Sequence, residues 1–146
     1  MDSFERSVRA IVLTRLRDSG EAPGLGELAS ALGAPKDSVK GALHALAAEH
    51  RLALVPGTDR VWMAHPFSGL PSDFLVTIRD RRWFANCVWD GLLSILALLG
   101  DGTLETHSPA TGEPIKLTAS MGAVTGEALV HFLVPARRFW DDIGFT

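Results

Sequence analysis

Through the first fifty positions apolar residues recur at three- and four-residue steps, beginning with Phe4, Val8, Ile11, Val12 and Leu16. That spacing lays them along one face of a helix, which Gly20-Glu21-Ala22-Pro23-Gly24 ends. A second short helix fits Leu25 to Leu32, closed by Gly33. A third runs from Pro35 to about His50, with Val39, Leu43 and Leu46 on one face. The pattern then changes. Arg51 to Val55 and Arg60 to Ala64 read as strands around the turn Pro56-Gly57-Thr58-Asp59. Three helices followed by a β-hairpin predict a winged-helix-like unit over residues 1–66.

The run from His65 to Ser72 is rich in Pro, Gly and Ser, and residues 67–73 read as a linker. A second domain is expected over residues 74–146. Phe74 to Ile78 and Arg82 to Ala85 are short apolar strands around Arg79-Asp80-Arg81, and Asp90 to Leu99 is a helix ended by Gly100. Strands follow at Thr103 to His107 and Pro114 to Thr118, separated by the turn-rich Ser108 to Gly112, and a last strand fits Ala128 to Val134. Pro135 opens a final helix toward Asp142. The fold class is therefore α+β, the N-terminal unit being followed by a small mixed α/β domain with short antiparallel strands.

Apolar residues at 47% and charged residues at 21% describe a chain that folds rather than one that stays disordered. The net charge is −3, and residues 1–66 carry eight basic side chains against eight acidic ones. A winged helix that grips DNA needs a positive surface, so this balance argues against a nucleic-acid partner and for a packing or dimerising module. His44 and His50 read as solvated helix residues. The start, Met1-Asp2-Ser3-Phe4-Glu5-Arg6, is no export signal. The apolar run Leu92 to Leu99 is far shorter than the ~20 residues that span a bilayer. Both features predict a cytoplasmic protein without a membrane partner. Oligomeric state leaves no mark in the pattern.

Cys87 is the only cysteine, a free thiol suited to a reducing compartment. Asp90 lies three residues on, so on a helix both side chains project from one face. A thiolate is a soft nucleophile and soft-metal ligand, and a carboxylate beside it can take or deliver a proton. Spacing alone leaves the plain alternative open, a capping aspartate near a buried cysteine. Trp83, Phe84 and Trp89 are candidates for lining an apolar pocket, against the plain reading of core aromatics. His107 and His131 lack the short spacing of a zinc site. Arg137 and Arg138 lie at helical spacing from Asp141 and Asp142.

Phe84-Ala85-Asn86-Cys87-Val88-Trp89-Asp90, followed by Ala110-Thr111-Gly112-Glu113-Pro114-Ile115-Lys116-Leu117-Thr118, resembles the active-site segment of the organomercurial (alkylmercury) lyase family. The likeness is strong over about residues 74–118 and looser elsewhere, and the family also places a winged-helix-like region in front of this domain. The resemblance implies protonolytic cleavage of carbon–mercury bonds. Cys87 would be the mercury-binding thiolate and Asp90 the proton carrier. The substrate would be an organomercurial or mercury ion, with no cofactor and with small external thiols removing the product. The chain departs from the family in lacking a second cysteine, which the segment from Arg137 to Thr146 approaches; Ser108 also replaces a further, non-catalytic cysteine. A truncated chain, a UGA codon read as a stop where it encodes selenocysteine, and a diverged relative are three origins of that gap. Two other functions compete with the impaired lyase: a winged-helix regulator or sensor of a thiophilic metal acting through Cys87, and a relative without catalysis.

Overall fold

The computed structural model describes residues 1–144. Helices α1 (Ser3–Ser19), α2 (Leu25–Leu32) and α3 (Lys36–Ala48) come first, as their apolar spacing predicts. The acidic start that argues against an export signal is a capping box. Asp2 accepts from the Glu5 N–H at 2.8 Å, and Glu5 accepts from the Asp2 N–H at 2.7 Å. Val8, Val12 and Leu16 of α1 and Val39, Leu43 and Leu46 of α3 are fully buried.

The strands are β1 (Ala53–Leu54), β2 (Val61–Ala64), β3 (Phe67–Ser68), β4 (Leu75–Ile78), β5 (Arg81–Ala85), β6 (Gly102–His107), β7 (Pro114–Ser120) and β8 (Ala123–Thr125). They form one antiparallel sheet in the order β1-β2-β3-β5-β4-β6-β7-β8. The chain is thus α+β, with its helices gathered early.

Residues 67–73 begin as strand rather than as open linker. Phe67 and Ser68 are buried and pair with Ala64 and Met63 on one side and with Ala85 and Phe84 on the other. The Pro, Gly and Ser around them signal turns, but burying a phenylalanine and satisfying its backbone in the ladder outweighs that local preference. The Ser68 hydroxyl donates to the Leu70 carbonyl at 2.7 Å, so its burial leaves no polar group stranded.

One buried apolar cluster extends from Val8 through Phe67 and Val76 to Leu117. Its central clasp is Trp83. The indole N–H donates to the carbonyls of Leu16 at 3.1 Å and Arg17 at 3.0 Å, in the last turn of α1. Arg81 lies over the same ring, 4.8 Å from its centroid, and donates to the carbonyls of Arg17 and Asp18. The β4–β5 hairpin therefore supplies donors to carbonyls that a helix end leaves without intrahelical partners.

Two later expectations need correction. Ala128 to Val134 is not a strand; the edge strand is β8, reached through a tight turn at Met121-Gly122, both at positive φ. Gly126 then ends β8 at φ 124°, where a Cβ would stand 2.7 Å from Leu117 Cδ2 and 2.9 Å from the Lys116 carbonyl. The helix expected from Asp90 to Leu99 is a π-helix over Asp90–Ile95 continuing as α4 (Leu96–Leu99). Downstream of β8, residues 128–134 cross irregularly to a 3-10 helix, Ala136–Asp141, opened by Pro135. Arg138 Nε meets Asp141 Oδ2 there at 2.8 Å. Phe145 and Thr146, the end of the segment read as approaching a second cysteine, lie outside the described residues. Among the described residues no helix is long and apolar enough to cross a membrane.

Candidate active site

Strand β5 ends at Ala85, and the chain bends through Asn86 and Cys87 before Val88 and Trp89 open the helical turn that becomes the π-helix. This bend puts the Cys87 sulfur at the start of a helix, where the backbone N–H groups of Trp89 and Asp90 favour its ionised form. The turn is held close to the sheet at Gly91. A Cβ there would stand 2.8 Å from Leu104 Cδ1 and 3.4 Å from Val76 Cγ2. Close approach of the π-helix to β4 and β6 brings Asp90 inward, and the residue is only 7% exposed.

A buried carboxylate is costly unless its oxygens are satisfied. Both oxygens of Asp90 are: Oδ1 lies 2.7 Å from His65 Nδ1, and Oδ2 accepts from Asn86 Nδ2 at 2.8 Å. The other side of the Asn86 amide, Oδ1, is buried without a hydrogen-bond partner among the described residues. Its orientation follows from Asp90, since only the NH₂ group can donate to a carboxylate.

Cys87, Asp90, Asn86 and His65 open onto a cavity of about 940 Å³. Its floor is His50, Arg51, Leu52 and Met63, and its outer wall is the C-terminal segment with Phe132, Phe139 and Trp140. That wall is anchored on the N-terminal half. The Trp140 ring stacks on His50 at 4.3 Å with 3° between planes, and Gly144 lies so near the Trp62 ring that a Cβ would come within 2.5 Å of Cη2. His50 is therefore part of the cavity rather than a merely solvated helix residue. His44 is tied to Asp59 at 2.8 Å, beside Lys40 at 3.2 Å, and both partners draw the Asp59 carboxyl below its ordinary range.

Of the three aromatics considered for the pocket, Trp89 lines the cavity and is 57% exposed. Trp83 and Phe84 do not line it. Trp83 is 3% exposed and spent on α1, while Phe84 pairs between β3 and β4. His107 lies near Asp73, 4.0 Å away, and not near the thiol. Among the described residues no group of three or more His, Cys, Asp or Glu side chains converges on one point. His65 and Asn86 carry no role in the sequence reading. Asn86 had a signal, four residues before Asp90 in a helix-opening run, whereas His65 sits in a segment that looked like linker.

The electrostatics of the thiol have a clear sign. Burial pushes the Cys87 thiol up, and the negative charge of Asp90 adds to the push, while the two backbone N–H bonds oppose it. The resting thiol keeps its proton and needs an acceptor before it becomes a nucleophile. A carboxylate already held in place nearby can accept that proton and return it.

The chain resembles the crystal structure of the mercury-bound form of MerB2, with a TM-score of 0.66 and 23% sequence identity over 86% of this chain. At that identity the likeness is one of fold. The chain spans 60% of the length of that protein. No curated protein matches the sequence. The family model for alkylmercury lyase matches residues 67–146, more than half of the chain and the whole stretch from β3 through Cys87 and Asp90 to the cavity's outer wall. The chain belongs to the alkylmercury lyase family.

Proposed function

We propose that this chain captures an organomercurial at Cys87 and cleaves its carbon–mercury bond by protonation from Asp90, with small external thiols supplying the remaining soft donors. The observation that carries the reading is the placement of the one thiol and a doubly held carboxylate on the wall of a largely apolar cavity. Mercury(II) is a soft cation matched to thiolate, and the organic group it carries prefers apolar walls such as Trp89 and Phe139.

In this reading the Cys87 thiol gives its proton to Asp90 as its sulfur bonds to mercury and displaces a small thiolate. A thiolate from solution then adds to the metal and raises the electron density on carbon. The carbon–mercury electron pair takes the proton from Asp90, forming a hydrocarbon and leaving mercury bridged between Cys87 and the small thiolate. A second small thiolate releases it. Cys87 is the only thiol of these 146 residues, so in this reading small thiols serve as the later donors and cleavage is slow compared with capture.

The test is release of hydrocarbon from an organomercurial in excess small thiol, alongside mercury binding followed by native mass spectrometry. Wild type should bind one equivalent and release hydrocarbon, whereas Cys87→Ser should do neither. Asp90→Asn should bind and not release. Capture without any hydrocarbon would refute the lyase reading and leave a thiol that senses or stores the metal; equal binding by Cys87→Ser would refute the role of Cys87.

A further inference from the structure

We infer that His65 is the proton relay of this site, passing a proton between solvent and the buried carboxylate of Asp90. The inference deepens the lyase reading and rests on it. Each turnover passes the Cys87 thiol proton through Asp90 into the hydrocarbon and leaves Cys87 a thiolate when mercury departs, so one proton per cycle has to come from outside, through Asp90, to restore the thiol. Asp90 cannot collect it readily by itself, since its side chain is 10% exposed and both oxygens are already engaged.

His65 joins the two environments. One ring nitrogen, Nδ1, lies 2.7 Å from Asp90 Oδ1, while the side chain as a whole is 65% exposed. The other nitrogen, Nε2, lies 3.4 Å from the half-buried Ser94 hydroxyl, four residues beyond Asp90. Imidazole is the side chain able to accept a proton on one nitrogen while giving one up from the other. Asn86 has no such capacity, because an amide only donates to Oδ2. The cavity's other histidine, His50, is committed to the Trp140 stack.

The cycle balances. Asp90 loses its proton to carbon as the carbon–mercury bond breaks and becomes a carboxylate. When mercury leaves, His65 transfers the Nδ1 proton to Asp90 Oδ1, Asp90 passes it to the Cys87 thiolate and is a carboxylate again, and the His65 Nε2 takes a proton from water or from a small thiol, whose conjugate thiolate binds mercury. A ring flip or a second transfer through water restores the starting tautomer. No oxidant or reductant takes part.

His65 acts through Asp90 and touches no substrate in this scheme, so the test has to separate relay from mere positioning. Steady-state hydrocarbon release is measured for wild type, His65→Ala and His65→Gln, with and without added imidazole. Glutamine can keep a donor on Asp90 and cannot relay. Both variants should lose kcat by ~10-fold or more, the lower range for a positioned proton-transfer group, with KM and stoichiometric mercury capture by Cys87 unchanged. Imidazole in the buffer should restore His65→Ala in proportion to its concentration and should leave Asp90→Asn inactive. Full activity in His65→Gln, or absence of imidazole rescue in a folded His65→Ala, would overturn the relay and leave His65 a positioning donor. Wild type that captures mercury and releases no hydrocarbon would instead overturn the lyase reading, and the relay with it.

Discussion

Replacing Trp83 by phenylalanine distinguishes a core aromatic from a pocket aromatic within one short motif. The indole N–H is shared between two carbonyls at 3.1 and 3.0 Å in the last turn of α1, and a net hydrogen bond of this kind contributes about 1 kcal/mol. The ring is 3% exposed, so shrinking it leaves a void beside Gly20 and α1. Burial lost with the smaller ring and the residual cavity add a further ~1–2 kcal/mol. Together these put the destabilisation at roughly 2–3 kcal/mol, and for a chain of this length each kcal/mol moves Tm by about 3 °C. The expected fall is therefore ~6–9 °C in thermal unfolding followed by circular dichroism. Mercury capture, measured by native mass spectrometry well below the transition, should be unchanged because the Trp83 ring faces α1 and not the cavity. A variant with wild-type Tm and impaired capture would show that the assignment of Trp83 to the core is wrong.

The complementary change, Trp89→Ala, should leave Tm within ~1–2 °C, since that ring is 57% exposed, yet weaken retention of an arylmercurial relative to inorganic mercury; equal loss for both would argue against Trp89 as a wall for the organic group. Alkylation of Cys87 by a neutral reagent should be slow at neutral pH and rise only above the ordinary thiol range, because burial and then Asp90 favour the protonated form. Asp90→Asn removes the second push and should move that profile to lower pH; an unchanged or upward-shifted profile contradicts the stated causes. Hydrocarbon release should increase with small-thiol concentration until capture limits it, and a rate independent of thiol would refute small thiols as the later donors. Specific duplex DNA binding should be absent at physiological salt, as Lys40 and His44 on α3 are engaged with Asp59; a salt-dependent, sequence-selective gel shift would restore the regulator reading.

What the sequence made legible was periodic. α1, α2 and α3 each carry an apolar stripe that can be satisfied in one way, and the hairpin β4–β5 announces itself by two apolar runs around three charged residues. The pair Cys87 and Asp90 was legible because both belong to one local turn. His65 was not, since its partner lies 25 positions away and its neighbours carry turn chemistry. Trp83 and Phe84 illustrate another limit. Alternation along β5 separates their faces, but it cannot say which face meets α1 and which meets the β3 and β4 neighbours. The outer wall of the cavity was illegible for a third reason: residues 128–134 have the apolar content of a strand, and only the turn at Met121-Gly122 and the stop at Gly126 decide that β8 is made from earlier residues.

The π-helix at Asp90–Ile95 gives the site slack in chain length. Such a turn accommodates one more residue than an α-helix would hold in the same span. Removing a single residue from its outer side, for example Leu93, would let the segment close to α-helical pitch with Ile95 and Leu96 still docked in the core. Both ends of the span would then stay where they are, Asp90 beside His65 and Asn86 and Ile95 in the core, because the bulge absorbs the loss. A deletion in the regular α-helical turns of α1 has no such outlet and would turn the residues on one side of it by about 100° relative to the other. During divergence this stretch should therefore be where the chain can lose a residue and keep both its fold and the pairing at Asp90.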